Sequence, residues 1–270
     1  MIPKIIHYCW FGGNPLPPLA EKCIASWRKF LPGYEIWEWV EPYGLTESTE
    51  QTENTEEKDG NTLFDKRMGF DVNMIPYTAE AYRLKKYAFV SDYARFWILY
   101  RYGGLYFDTD VEVIRPMDDI IEKGDFMGCE SDAVNGMKIT VAPGLGLGTA
   151  PENRLIGCLL EEYSEKKFIV QRDGNIQETI VDITTNLLKK HGLKDMEGIQ
   201  DLDGLLIYPS EYFCPIHIVT KRLHITPNTR TIHHYMASWR PANRSIKDKL
   251  RAYIPECCLL AYNRVKRMLK

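Results

Sequence analysis

Two glycines, three apolar residues and two carboxylates constrain this chain more than any other stretch. Gly103-Gly104 ends a helical pattern. Leu105-Tyr106-Phe107 follows, too short an apolar run for a helix, and reads as a buried strand. Asp108-Thr109-Asp110 closes it. An Asp-x-Asp there puts oxygen ligands at the C-terminal edge of a sheet, where open α/β sheets bind ligands. Side chains two apart share parity along a strand, so both carboxylates can face one site. Carboxylates with no interleaved Cys or His suit Mg²⁺ or Mn²⁺, which keep several waters and bind substrate phosphates. The first expectation is a metal-assisted enzyme acting on a phosphorylated donor.

The chain's 270 residues are enough for one large α/β domain. A net charge of −3 argues against bulk nucleic-acid binding. The seven cysteines have no CxxC spacing and no zinc pattern, so they read as free thiols of a reducing cytosol. Met1 to His7 lacks the apolar region and cleavage site of a signal peptide, and no run is long enough to span a bilayer.

The opening reads β-α-β: a strand over Ile2 to Cys9, a loop rich in breakers from Trp10, a helix over Pro18 to Phe30 and a strand over Tyr34 to Val40. That order implies a parallel sheet with right-handed crossovers. Residues 41–62 change to an acidic, apolar-poor composition and read as a flexible insertion. Thr78 to Tyr102 is the strongest helical pattern, and one strand is expected from Leu105 to Val113. Later strands are expected over Phe126 to Glu130, Lys138 to Ala142, Leu205 to Pro209 and Thr231 to Tyr235, with helices over Glu152 to Lys166 and Ile180 to His191. A single domain, 1–243, is expected, followed by a basic amphipathic helical tail, 244–270. That tail reads either as a helix on an anionic membrane surface or as one docked on the domain.

Asp92 and Arg95 sit three apart on the expected helix and share a face. Their neighbours, Phe89, Val90, Tyr93, Phe96 and Trp97 among them, are apolar nearly all round, so this helix should be buried. A buried Asp and Arg need partners, and a ligand can supply some: phosphate or a ring oxygen for Arg, sugar hydroxyls for Asp. Trp10, just past the first strand, is placed to stack on a base or to sit in the core. His233-His234 and Ser238-Trp239 follow the last strand; adjacent strand residues face opposite ways, so one histidine at most serves the site easily. Thr184-Thr185-Asn186 reads as a cap, a turn or a grip on a sugar hydroxyl. The glycine run Gly144 to Gly148 lacks the lysine and spacing of a P-loop and reads as a loop that lets an acceptor approach.

Taken together, these pieces resemble glycosyltransferase family 32. The stretch Ile2-Pro3-Lys4-Ile5-Ile6-His7-Tyr8-Cys9-Trp10-Phe11-Gly12-Gly13 is similar to its N-terminal signature, and Ser91 to Asp110 to its DXD sugar-binding region. That family includes capsule and lipopolysaccharide sugar transferases and fungal initiating mannosyltransferases, and it shares a core with glucosylating clostridial toxins. The resemblance implies a GT-A fold, with a Rossmann-like, mostly parallel sheet flanked by helices. It also implies a nucleotide-sugar donor, Mn²⁺ or Mg²⁺, and retention at the anomeric carbon. By position, Trp10 would stack on the nucleobase, and Asp92 and Arg95 would hold the donor sugar. Asp108 would contact ribose and sugar or metal-bound water, and Asp110 would ligate the metal. Tyr106 would line the pocket, Ser238 and Trp239 would close over the diphosphate, and His234 would stand near the metal. Where the family often has Thr-Gly-Pro, this chain has Thr184-Thr185-Asn186.

The expected activity is transfer of a hexose, from a UDP-sugar by preference, to a glycan or lipid-linked glycan of a capsule, lipopolysaccharide or exopolysaccharide. The expected location is the cytoplasm, peripheral on the inner membrane face. Two rivals stand beside it. A nucleotide-sugar or glycan-binding module without turnover has no need of an intact Asp pair with Asp92 and Arg95. A haloacid-dehalogenase-type phosphatase expects Thr or Val two residues beyond the second Asp, where this chain has Glu112.

Overall fold

The computed structural model describes residues 1–42, 63–133, 138–170, 178–217 and 222–236. In chain order they form β1 (Ile5–Cys9), α1 (Pro18–Phe30), β2 (Glu35–Val40), β3 (Lys66–Gly69), α2 (Pro76–Arg83), α3 (Tyr87–Tyr102), β4 (Gly104–Tyr106), β5 (Val111–Val113), α4 (Asp118–Ile121), β6 (Phe126–Ser131), β7 (Thr140–Val141), β8 (Leu147–Thr149), α5 (Arg154–Ser164), α6 (Ile180–Lys190), β9 (Gln200–Leu202), β10 (Leu205–Tyr208), α7 (Ser210–Phe213) and β11 (Thr231–His233).

Nine strands form one sheet in the order β3-β2-β1-β4-β8-β6-β10-β9, with β7 paired to β6. β1 runs parallel to β2 and β4, β2 to β3, and β6 to β10, while β8 is antiparallel to both β4 and β6. β7 and β9 are antiparallel to their neighbours, so β1, β2, β3, β4, β6 and β10 point one way. This is the helix-flanked, mostly parallel α/β sheet expected from the sequence.

Successive residues of β4 feed opposite faces, as the period of two requires. Tyr106 joins the cluster built with Phe96 and Leu99 of α3, Leu159 of α5 and Leu188 of α6. Leu105, and Phe107 just past the strand, join the cluster of Ile24 and Trp27 from α1 with Phe126 and Phe213. Trp27 is fully buried, and its indole N–H donates to the Val111 carbonyl at 2.8 Å, satisfying its one polar group and tying α1 to β5.

Two expected elements are broken, and both breaks shape the site. The single helix over Thr78 to Tyr102 is two, because Lys85 adopts a left-handed conformation (φ 56°) and Lys86 N–H turns back to the Ala81 carbonyl at 2.8 Å. The single strand over Leu105 to Val113 is also two. Val111 N–H closes a turn onto the Asp108 carbonyl at 3.0 Å, and β5 leaves the main sheet to pair with β11. Asp108 and Asp110 therefore converge from a turn rather than by parity along one strand.

Thr184-Thr185-Asn186 lies inside α6 rather than at its start. The cap is Thr179, with Asp182 completing a capping box, while Thr185 Oγ1 accepts from Val141 N–H at 2.9 Å. Five cysteines among the described residues are free. No helix among those residues is long and apolar enough to cross a membrane. Residues 43–62 of the acidic insertion, Ser238, Trp239 and the tail 244–270 lie outside the described residues.

Candidate active site

The site begins on α3, where nine of sixteen residues are buried, Asp92 and Arg95 among them. One helical turn aligns the two, and Arg95 Nη2 lies 3.1 Å from Asp92 Oδ1. The same nitrogen lies 3.1 Å from Asp108 Oδ1, just past β4, and Nε donates to the Ser91 carbonyl at 3.1 Å. The guanidinium rests over the Tyr106 ring, 4.8 Å from its centroid. Tyr106 is only 1% exposed, so it carries Arg95 from beneath rather than lining an opening.

These groups set one another's charge. Burial opposes charge on Arg95, but Asp108, Tyr106 and Asp92 together hold its pKa above the usual value. Burial raises the pKa of Asp92; Arg95 pulls it back down, and the nearby Asp108 adds repulsion. Asp108 keeps partial access to solvent, with 32% of its side chain exposed.

Asp110 is buried at the far end of the turn. Its Oδ2 accepts from Met236 N–H at 2.7 Å, and its Oδ1 lies 3.2 Å from His233 Nε2. Burial works against its ionisation, yet hydrogen bonds from His233 and the Met236 N–H hold its pKa below the carboxylate range. For His233, burial favours the neutral ring, but the hydrogen bond to Asp110 and the charge of that carboxylate raise its pKa to about 10, while Nδ1 is buried without a hydrogen-bond partner. Ligation by His233 would need an unprotonated ring nitrogen.

Asp108, Asp110 and His233 each offer one ligand atom, all within 4.8 Å of one another. Two carboxylates and an imidazole fit Mn²⁺ better than an all-oxygen shell would, and also admit Mg²⁺. His234, the histidine expected near the metal, is not the one in this cluster. Its Nε2 lies 2.8 Å from Glu112 Oε2, and Glu112 also pairs with Lys22 at 3.0 Å. The reason is alternation along β11: the two rings face opposite ways, and His234 falls on the Glu112 face. The adjacent histidines were visible in the sequence; which one faces the Asp pair depends on the β5–β11 register, Val111 opposite His233.

Trp10 leaves β1 at the same sheet edge, since β1 and β4 run parallel with His7 opposite Tyr106. Its indole N–H donates to the Asn14 carbonyl at 2.6 Å. It lines a cavity of about 400 Å³ with Glu21, Glu38, Glu41, Phe64 and Arg67. Asp92, Arg95, Asp108 and Asp110, which the ion pairs and the three-ligand cluster bring together, are not in that lining, so Trp10 stands in a separate recess. Gly12 N–H, just beyond Trp10, donates to both oxygens of Glu41 at 3.0 and 3.1 Å, which anchors the loop.

Gly146 and Gly148 of the glycine run serve packing. A Cβ on Gly146 would meet the Phe213 ring at 2.8 Å, and one on Gly148 the Phe126 ring at 2.4 Å. The importance of this run for packing was not legible in the sequence, because neither aromatic is near it in the chain.

Residues 17–127 match the family described as the glycosyltransferase sugar-binding region containing the DXD motif. Over 126 residues the chain is 29% identical to inositol phosphoceramide mannosyltransferase 1 of Schizosaccharomyces pombe; the match covers 47% of this chain and 33% of that protein. Among solved structures it is similar to the galactosyltransferase LgtC in complex with donor and acceptor sugar analogs, at 16% identity and TM-score 0.46 over 96% of this chain and 95% of that one. It is also similar to the PaToxG glycosyltransferase, at 18% identity and TM-score 0.45 over 70% and 69%. Likenesses at these scores do not bear on the reaction. Over residues 17–127 the chain is similar to the sugar-binding region of the DXD glycosyltransferases.

Proposed function

We propose that this relative of the DXD glycosyltransferases moves a hexose from a nucleotide-sugar to a glycan or lipid-linked glycan, with a divalent metal and with retention at the anomeric carbon. One observation carries the reading. A single buried guanidinium, Arg95, is held 3.1 Å from both Asp92 and Asp108, and Asp108 in turn converges with a third carboxylate, Asp110, and the His233 imidazole. A binding module has no need for so much buried charge, whose desolvation is expensive.

In this reading Asp110, Asp108 and His233 hold Mn²⁺ or Mg²⁺, which supplies positive charge to the leaving nucleoside diphosphate. Asp92 accepts hydrogen bonds from sugar hydroxyls. Arg95 orients Asp108 and faces the negative charge that develops as the glycosidic bond lengthens. Tyr106 and Asp92 fix the Arg95 plane, so little reorganisation accompanies the reaction. As in glycoside hydrolysis, the sugar carbon becomes oxocarbenium-like. The acceptor hydroxyl attacks from the face the diphosphate leaves, and its proton passes to the departing diphosphate oxygen. Trp10 stacks the base in its recess, and Ser238 and Trp239 close on the diphosphate.

A UDP-sugar is the favoured donor. A lipid-linked acceptor fits two features: the basic tail 244–270, proposed to hold the protein at the cytoplasmic face of the membrane, and a relative named for mannosyl transfer to a ceramide lipid. The place in capsule, lipopolysaccharide or exopolysaccharide synthesis belongs to the same proposal. The test incubates the purified chain with Mn²⁺ and UDP-, GDP- and CMP-sugars and measures released nucleotide. Slow release from one donor, abolished by EDTA, is the expected result. EDTA-insensitive release would remove the metal from the reaction, and a donor other than a UDP-sugar would correct the base.

A further inference from the structure

We infer that Gly144 is a positioning residue for Asp108: its missing side chain is what allows one carboxylate to serve both Arg95 and the ion site. The inference rests on the metal reading above.

A Cβ built on Gly144 would lie 1.8 Å from Asp108 Oδ2, 2.6 Å from Asp108 Cγ and 2.7 Å from Arg95 Nη1. Within the glycine run this position meets charge, whereas Gly146 and Gly148 meet aromatic rings. Conformation does not demand glycine here, because Gly144 is not among the glycines with positive φ. Space does. The Gly144 carbonyl also accepts the Asp108 N–H at 2.9 Å, so the two backbones are already locked together. A methyl group can therefore be accommodated only by moving the Asp108 carboxylate and, with it, the end of the Arg95 guanidinium.

The carboxylate has little freedom to move without losing a partner. Its Oδ1 faces Arg95 Nη2 at 3.1 Å and its Oδ2 lies 3.5 Å from Nη1, while the same group belongs to the cluster with Asp110 and His233. Turning it about its own side-chain bonds breaks the guanidinium contact and opens the three-ligand cluster together. Gly144 thereby couples the Arg95–Asp108 contact to the ion site.

The test compares wild type, Gly144→Ala, Asp108→Ala and the double variant, by calorimetric titration with Mn²⁺ and by thermal unfolding. Gly144→Ala is expected to weaken Mn²⁺ binding at least tenfold. On the Asp108→Ala background it should change binding and unfolding far less, because both carboxylate atoms it strikes are gone and only Arg95 Nη1, the end of a flexible chain, is left to give way. Should Gly144→Ala fail to fold, the double variant should recover folding. Mn²⁺ affinity within twofold of wild type in folded Gly144→Ala overturns the inference. So does an equal loss of stability on both backgrounds. If wild type itself binds no Mn²⁺, the metal reading fails instead, and the stability arm alone decides whether Gly144 positions Asp108.

Discussion

Arg95 and Asp108, thirteen residues apart, meet at 3.1 Å across the break between α3 and β4. The contact is possible because Gly103 takes φ 63° and returns its N–H to the Leu99 carbonyl at 2.9 Å, which ends the helix and reverses the chain at once. Helix and strand then deliver one charge each to the same point.

Removing Arg95 should leave Asp92 buried beside Asp108 with no counter-charge. Breaking a buried pair from one side costs about 3–5 kcal/mol. Arg95→Met is therefore expected to lower the urea-unfolding free energy by that order, and Asp92→Asn/Arg95→Met to recover a good part of it. A double variant no more stable than the single one would mean that the loss reflects packing over Tyr106 rather than stranded charge.

Asp110 has two duties that substitution can separate. Its Oδ2 holds the Met236 N–H, and its charge would serve the proposed ion site. An amide keeps an acceptor for Met236 and loses the charge; alanine loses both. Asp110→Asn should keep its melting temperature within a few degrees of wild type while metal-dependent donor turnover falls at least about 100-fold. Asp110→Ala should lose the same turnover and also some stability. Retained turnover in Asp110→Asn that EDTA still abolishes would assign the ion to other ligands.

The loop after Trp10 offers a contrast between adjacent glycines. Both need left-handed backbone, at φ 93° for Gly12 and 66° for Gly13. A Cβ on Gly12 would strike the Tyr87 ring at 2.3 Å, whereas Gly13 faces open space. Gly13→Ala should cost about 1 kcal/mol of backbone strain, and Gly12→Ala roughly 1–3 kcal/mol more for the clash. Equal losses in chemical denaturation would show that Tyr87 moves aside freely.

Much of this arrangement is legible in the chain because its signals are local. The apolar surround of Asp92 and Arg95, the Gly103-Gly104 stop and the Asp pair each announce themselves within a few residues. What escaped were facts of register and long-range contact. β5 pairs with a strand over a hundred residues later, and that pairing decides that His233 rather than His234 meets Asp110. The turn between β4 and β5 hid inside an apolar, strand-like run, since Phe107 and Val111 are both buried on either side of it. β8 was missed because its Leu-Gly-Thr is short and glycine-bearing, and is held by β4 and β6 rather than by its own propensity.

The last prediction concerns His7, whose imidazole is fully buried in β1. Its Nδ1 accepts from the Trp39 indole at 3.1 Å, so the proton is on Nε2, which donates to the Gly103 carbonyl at 2.9 Å. The ring thus pins the glycine that turns α3 into β4. Burial lowers its pKa to about 3, against which the Gly103 bond pulls upward only in part. The unfolded chain takes up a proton near 6.5, where the native ring still refuses it, so the unfolded state gains as pH falls. The stability His7 contributes is intact above about 6.5 and declines as pH drops towards 3, by up to about 1.4 kcal/mol per pH unit. Urea-unfolding midpoints taken from pH 7 to pH 4 should therefore fall more steeply in wild type than in His7→Gln. That variant can keep a donor for Gly103 and an acceptor for Trp39, yet it does not titrate. Parallel curves for the two proteins would place the acid sensitivity elsewhere and leave His7 with a packing role alone.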